Sequence, residues 1–389
     1  MPQRDLREGA RSHALDGLRG MAALAVVFYH AILHMDLTLV ERVLDVRLQS
    51  IPGLRDILTK VALLLFNGHT AVYIFFVLSG CVLTLSLDRK RDQPTAAIAA
   101  SFLLARAARL YPPVIVCMLL FFGMGFLGIG GFPVFSFQQV LQNSSLVTIS
   151  MHGPSTTVQA ELMAAPFVLA AWLLRRTFGP IALVFCLAYA VLAIESAHMV
   201  GKLPNMHAYL VPFAFGMAVA EPAVRGLVSG IKPGAWWLAL LLLFLSRAFH
   251  PLASLISLVT MTGLCAVLVA GLLYGQRGSL VRLLETAPAQ ALGRVSFSFY
   301  LLNVPVLNLI WAVTDRWTWA TQHALEIGFC VGVLSVALTW PLAVASERWI
   351  ERPAIETGRR ISAWIRRLAG KSDAVGPAGE PAMASARSR

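Results

Sequence analysis

The chain has 389 residues, of which 57% are hydrophobic and 13% are charged, with a formal net charge of +12. Soluble domains average about half apolar and about a quarter charged residues, so this composition excludes an ordinary soluble protein. The positive charge does not indicate nucleic-acid binding, because the cations are spread over segments that lie between long apolar runs. The sequence therefore predicts an integral membrane protein.

The apolar runs, taken in chain order, predict an all-α polytopic bundle of about ten membrane-spanning helices. A helix needs about 20 apolar residues to cross a hydrocarbon core of about 30 Å. The first run is not followed by the A-x-A-like cleavage site of a removable signal peptide, so we expect it to remain as the first helix. The predicted spans are residues 15–34, 61–87, 111–131, 158–174, 180–196, 207–221, 234–249, 252–274, 294–313 and 324–345.

Lys and Arg cluster before the first predicted span, between the second and third, after the fourth, and after the last. These clusters fall on one side of the membrane, and the positive-inside rule then places both termini in the cytoplasm. The tail is rich in Ala, Gly, Ser and Pro, which is typical of disorder. The predicted organisation is a cytoplasmic N-terminus at 1–14, a transmembrane domain at 15–346, a basic cytoplasmic segment at 347–369 and a disordered tail at 370–389.

Ionisable groups inside the predicted spans are candidates for chemistry, because a charge at the centre of a span costs about 2.5–3.5 kcal/mol on insertion scales. Arg19 and His30 lie eleven residues apart in the first span. On a helix this spacing puts both side chains on nearly the same face, about 16 Å apart along the axis. Asp16 precedes Arg19 by three residues and is expected to pair with it.

His30 is predicted to be the catalytic base, because a neutral imidazole near mid-membrane can accept a proton from a substrate hydroxyl. The alternative is a histidine that only hydrogen-bonds across a helix interface, with Arg19 marking the membrane boundary. Glu161 is expected to orient an acceptor or to partner His30; its alternative is a helix cap at the interface. These three residues form the predicted catalytic set.

Arg106 and Arg109 are two arginines that the span boundaries place at the cytoplasmic mouth. Guanidinium forks match phosphate oxygens, although both residues could also be ordinary cations of the cytoplasmic side. Ser79 is expected level with His30, either as a donor within the cavity or bonded to a backbone carbonyl. No Walker loop and no H-E-x-x-H spacing occur, so neither ATP nor a metal is predicted.

Several sequence blocks, in order, resemble the acyltransferase-3 family of membrane O-acyltransferases. The first span combines LDGLRGMAAL with VVFYH, which gives the family's pattern of Arg, ten residues, then His. Further blocks resemble FFxLSG, a basic block, SLxxE, LGRxSYSxYLLH and a closing ExP. In this chain they read FFVLSG at 75–80, RLYP at 109–112 after Arg106, TVQAE at 157–161, LGRVSFSFYLL at 292–302 and ERP at 351–353.

The resemblance extends over residues 15–360, with two departures. Thr156 stands where an aromatic residue often precedes SLxxE, and Asn303 stands where His commonly ends the LLH block. Both departures concern recognition of the acceptor more than catalysis.

The resemblance implies transfer of an acyl group, acetyl above all, from cytoplasmic acyl-CoA to a hydroxyl of a cell-surface or lipid-linked carbohydrate. His30 would be the general base or a transient acyl carrier, and Arg19 would orient or charge the site. Arg106 and Arg109, with Ser79, would form the coenzyme A site, in which the two guanidinium groups bind the phosphates. The implied setting is the bacterial inner (plasma) membrane, with membrane lipid as a further partner. Many relatives carry a fused esterase-like domain, and here transfer is direct or a separate periplasmic partner protein completes it.

Two other classes of function fit a polytopic membrane protein. One is a proton-coupled transporter or flippase of a glycan or lipid precursor, and the other is a membrane subunit with a structural role only. A transporter is expected to show repeat symmetry and matching broken helices, and the sequence shows no repeat of fixed period. A base at mid-membrane and cations at one mouth favour the acyltransferase.

Overall fold

The computed structural model describes residues 3–129, 132–200, 206–249, 254–317 and 319–374. Over these ranges the chain is helical, with no β-strand, as the apolar pattern predicted. The helices are α1 Gln3–Met35, α2 Leu54–Leu65, α3 Gly68–Asp88, α4 Thr95–Phe126, α5 Phe137–Ser144, α6 Ser155–Phe178, α7 Ile181–Glu195, α8 Met206–Val219, α9 Pro222–Ser229, α10 Gly234–Phe249, α11 Leu255–Tyr274, α12 Ser279–Leu284, α13 Ala287–Thr314, α14 Ala324–Ser346 and α15 Arg352–Ala374.

The fold class predicted from composition is confirmed, because many of these helices are long and apolar. Within the described residues, 7 helical segments are long and apolar enough to cross a membrane, or up to 8 if the bent pair formed by α8 and α9 is one span. The predicted spans at 180–196 and 234–249 correspond to the shorter apolar helices α7 and α10. The count of ten and the cytoplasmic termini stay predictions, and most of the predicted tail, 375–389, lies outside the described residues.

Helix α4 is longer at its start than the sequence predicted. We expected a span from residue 111, but α4 runs without a break from Thr95 and holds Pro112 and Pro113 in its interior. Arg106 therefore lies eleven residues, or about 17 Å, inside a helix instead of in a loop. This difference changes where the Arg106 side chain can reach.

Local signals in the sequence explain several helix boundaries. The Asn67 side chain caps α3 by accepting a hydrogen bond from the Thr70 N–H at 2.8 Å, which ends α2 and starts the next helix. Ser136 and Gln139 form a capping box at the start of α5. Pro222 occupies the first turn of α9, where the chain turns by 70° after α8.

Helix α1 lies at the centre of the bundle, and glycines let its neighbours approach closely. It packs against α13, α14 and α3. A Cβ built on Gly20 would lie 2.5 Å from the Gly293 nitrogen of α13, and one built on Gly328 of α14 would lie 2.5 Å from the Cα of Ile32. Small residues at helix crossings are the usual way for helices to pack in lipid. This packing fixes the position of α1, which carries Arg19 and His30.

Gly20→Ala is expected to lower the stability of the protein, because the new methyl group meets backbone atoms that cannot turn aside. Overpacking of this kind costs about 1–3 kcal/mol, and thermal unfolding in detergent would measure the loss. Gly123→Ala in α4 is the matched control, since nothing lies within 4 Å of a Cβ built there. Equal melting temperatures for the two variants would contradict the tight contact between α1 and α13.

Candidate active site

A buried ion pair joins three of the predicted site residues. Arg106 of α4 lies with its Nη2 3.1 Å from Glu161 Oε2 of α6, and the two side chains are 7% and 14% exposed. The Ser79 hydroxyl of α3 donates to Glu161 Oε1 at 2.6 Å, and Arg106 Nη2 lies 3.4 Å from the same hydroxyl. Three helices are thus tied together by one carboxylate, which holds α3, α4 and α6 in register.

This ion pair corrects the sequence-based placement of Arg106 and Ser79. Arg106 is not at an open mouth beside Arg109, because it lies inside the protein and its guanidinium is engaged by Glu161. The serine is bonded to a carboxylate instead of a backbone carbonyl. Glu161 is a buried partner of an arginine and does not cap a helix at the interface. A buried carboxylate needs such a partner, which is the physical reason that the three residues converge.

Arg19 and Arg109 face a second feature, a cavity of about 470 Å³ at one end of the bundle. Three arginines and two carboxylates contribute to its wall, so its charge favours an anion. We call the end of the bundle that carries this cavity the basic end. The lining residues are His13, Asp16, Arg19, Arg109, Gln290, Gly293, Arg294, Ser296, Phe297 and Glu351.

The guanidinium groups of Arg19 and Arg109 make no ion pair or hydrogen bond with another described side chain. The expected pairing of Arg19 with Asp16 is wrong at contact distance, although both line the cavity. Glu351 accepts a hydrogen bond from Ser298 at 3.1 Å, which orients this carboxylate at the cavity wall. Two arginines with free donors in one cavity can bind phosphate groups.

A narrow passage leads from this cavity toward the middle of the protein. Its volume is about 30 Å³, which leaves room for little more than a water molecule. Arg19, Ser296 and Phe297 line both spaces, so the two adjoin. The remaining walls are Phe75, Phe76, Thr157, Val158, Glu161 and Tyr300. Arg19 thus connects the basic cavity to the Glu161 carboxylate.

His30 lies apart from these groups, nearer the other end of α1. It is solvent-accessible, and its imidazole makes no hydrogen bond with another described side chain. The ring of Tyr29 lies 5.6 Å from that of His30 and 5.7 Å from that of His69, which is also accessible. The spacing of eleven residues along the unbroken α1 puts His30 about 16 Å from Arg19. The imidazole is therefore free to accept a proton from a molecule that enters there.

The structure brings Arg19, Glu161, Arg106 and Ser79 around one polar interior and places Arg109 in the adjoining cavity. Sequence reasoning assigned no role to Thr157, Tyr300 or Glu351, although each lies in a family-like block. Thr157 donates to the Tyr300 hydroxyl at 3.0 Å, and both line the passage. Glu351 lines the basic cavity, and its place in the ERP block was the feature of the sequence that could have identified it.

The Asn303 side chain is bonded in part within its own helix. Its Nδ2 donates to the Phe299 and Tyr300 carbonyls at 3.1 and 2.6 Å, and the residue is fully buried. Its Oδ1 has no hydrogen-bond partner among the described residues, so α13 satisfies only the amide nitrogen at this departure from the family-like block.

Two comparisons with known proteins give a match. The family model of the acyltransferase-3 domain, described as an acyltransferase domain, matches residues 12–344. The O-acetyltransferase PaAT-1 of Phomopsis amygdali is 36% identical over 106 residues. That similarity covers 26% of this chain and 20% of the relative. No solved structure gives a significant match.

Proposed function

Because this chain belongs to the acyltransferase-3 family, we propose that it transfers an acyl group from acyl-CoA at the basic end to a hydroxyl of a carbohydrate at the opposite end. The acyl group is acetyl, in keeping with the named activity of the relative from Phomopsis amygdali. The acceptor is a cell-surface or lipid-linked glycan. The basic end faces the cytoplasm, where acyl-CoA is made, and the membrane is the bacterial inner membrane.

The observation that carries this proposal is the cavity of about 470 Å³ with the free guanidinium groups of Arg19 and Arg109. Its volume lies within the range of about 300–1,000 Å³ typical of small-molecule sites. Coenzyme A carries several phosphates on a long unbranched arm, and guanidinium groups bind such phosphates through charge-assisted hydrogen bonds. With the phosphates at Arg109, the thioester arm points past Arg19 into the passage.

His30 supplies the proton transfer in the proposed reaction. The acceptor hydroxyl attacks the thioester carbonyl, so that a C–O bond forms and the C–S bond breaks. The hydroxyl proton passes to His30 and then to the departing thiolate. We propose that His30 acts as a base and not as an acyl carrier, which predicts no acyl label on the protein when labelled acetyl-CoA is supplied without acceptor.

The passage of about 30 Å³ is too narrow for a pantetheine arm, so binding of the donor must open it. Opening requires α3 and α6 to move slightly away from α13, because side chains of these three helices and Arg19 of α1 form its walls. Ser79 and Glu161 tie two of these helices, and Arg106 holds the Glu161 carboxylate from α4. We assign these residues to positioning the walls instead of holding coenzyme A.

Arg109→Ala is expected to raise the apparent KM for acetyl-CoA by about tenfold to a hundredfold, because a hydrogen bond to a charged group contributes about 1.5–3 kcal/mol. The measurement is initial rate against acetyl-CoA concentration, with calorimetric binding of acetyl-CoA to the protein in nanodiscs as a readout that needs no acceptor. The thioester acetyl-pantetheine lacks the phosphates, so its use should be equal in both proteins.

The matched control for this test is Arg91→Ala. The Arg91 side chain is 73% exposed, and its one ion pair among the described residues is with the exposed Asp92 at 3.7 Å. The Arg91→Ala substitution removes the same charge from the chain as Arg109→Ala does, but at a residue that does not line the cavity. If Arg109→Ala binds acetyl-CoA as tightly as the control does, the cavity is not the donor site.

A further inference from the structure

Arg247 is a buried arginine that the proposed site does not use. It lies in α10 and is 3% exposed, and its Nε and Nη1 have no hydrogen-bond partner among the described residues. A buried charged group without partners is costly, and in a membrane protein such groups usually serve a function. A ligand with hydrogen-bond acceptors would therefore satisfy the unpartnered Nε and Nη1 of Arg247.

The surroundings of Arg247 are polar but do not neutralise it. The groups within electrostatic range include the hydroxyls of Tyr29 and Tyr73 and the carboxylate of Asp45, together with Lys60 and His69. Asp45 is exposed to solvent and makes no ion pair with Arg247. Two hydroxyls can donate to an anion that the guanidinium holds, so this arrangement suits a negatively charged group from outside.

Lys60, the other buried cation in this region, differs from Arg247 because its donors are all used in hydrogen bonds. Its Nζ donates to three backbone carbonyls, those of Val43, Leu44 and Val46, at 2.9, 2.9 and 3.0 Å. All three donors of the ammonium are thus used to hold the segment between α1 and α2. Lys60 is a structural anchor, whereas Arg247 retains free donors.

Arg247 and His30 lie near the same end of the bundle. Arg247 is two residues from the end of α10, and His30 is five residues from the end of α1. His69 lies within electrostatic range of both, and the Tyr29 ring contacts both histidines edge-on. A molecule held by Arg247 can therefore present another of its groups to the accessible His30 imidazole.

We propose that Arg247 binds the carboxylate or phosphate of an acidic carbohydrate and so positions the acceptor hydroxyl beside His30. This deepens the proposed function, on which it rests, by naming the acceptor class as an anionic sugar. A single charged contact at one point of the sugar leaves the hydroxyls free for transfer. Arg247 is thus a specificity-determining residue, and it takes no part in the proton transfer.

The test measures binding without acyl-CoA, in the full-length protein in phosphatidylcholine nanodiscs. The probes are methyl glucuronide, glucose 6-phosphate and neutral methyl glucoside, and the readouts are calorimetric affinity and the melting temperature. We expect an anionic sugar to bind and the neutral sugar not to bind, and the comparison of the two anions identifies carboxylate or phosphate. Equal binding of the neutral sugar would overturn the proposal.

The variants separate this inference from the proposed function. Arg247→Gln is expected to weaken binding of the anionic sugar by about tenfold or more, since it removes charge-assisted hydrogen bonds. Arg42→Gln is the matched control, because Arg42 is exposed and pairs with Asp36 and Asp56. Sugar binding is measured without acyl-CoA, so a failure of acyl transfer by the wild-type protein would leave this result intact.

A stability measurement excludes a purely structural role for Arg247. Removing an unpaired buried charge should leave the melting temperature of the unliganded protein unchanged or raise it. A lower melting temperature for Arg247→Gln would show that Arg247 stabilises the fold. Wild-type affinity of that variant for the anionic sugar would show that Arg247 does not bind an acceptor. Either result would overturn the proposal.

Discussion

Replacing His30 with alanine is expected to lower acyl transfer by about 10²–10⁴-fold, because a positioned general base contributes about that factor. The side chain makes no hydrogen bond with another described residue, so its loss should leave folding and acetyl-CoA binding unchanged. Mass spectrometry of cell-surface carbohydrates from cells with and without the variant measures the transfer, and thermal unfolding of the purified protein tests the fold.

His34→Ala is the control for that experiment. His34 lies one turn further along α1, where its Nε2 is 3.0 Å from Asp315 and its ring stacks on Trp311 with centroids 3.8 Å apart. It removes an imidazole from the same helix without touching the accessible site. Wild-type acylation by His30→Ala would remove His30 from the mechanism, whatever the outcome for His34.

Arg106→Ala is expected to cost about 3–5 kcal/mol of folding stability, because it leaves the buried Glu161 carboxylate without its partner. Glu161→Ala should be costly for the converse reason. The double variant should lose less than the sum of the two single losses, since it leaves neither charge unpaired. Chemical unfolding in detergent measures all three.

Arg109→Ala provides the comparison within the same helix. Three residues separate Arg106 and Arg109, yet only the first is engaged in an ion pair with a described residue. We expect Arg106→Ala to change stability and Arg109→Ala to change acetyl-CoA binding. Additive losses in the cycle of Arg106 and Glu161 would show that the two charges do not stabilise one another.

Helix α1 carries groups for both sides of the proposed reaction, one nearer each end of the helix. Arg19 lines the basic cavity and the passage, and His30 lies further along α1. Because α1 packs tightly on α13 and α14 through glycines, both groups keep fixed heights within the bundle. The proposed motion for donor entry therefore falls on α3 and α6.

The sequence by itself determined the fold class and the family, because long apolar runs and ordered blocks depend on local composition and spacing. It also placed Arg19 and His30 on one helix, since helical geometry follows from residue number alone. It misplaced Arg106, because hydropathy cannot show that α4 begins at Thr95 and continues through two prolines.

Only the tertiary structure decided which charges meet. Glu161 is separated from Ser79 by 82 residues, and nothing local indicates that one carboxylate would receive both that hydroxyl and Arg106. The same holds for the cavity wall formed by Glu351 and for Arg247, whose Nε and Nη1 have no hydrogen-bond partner among the described residues. A buried charge must find partners wherever the packed helices bring them, so its role follows from three-dimensional contacts and not from position in the chain.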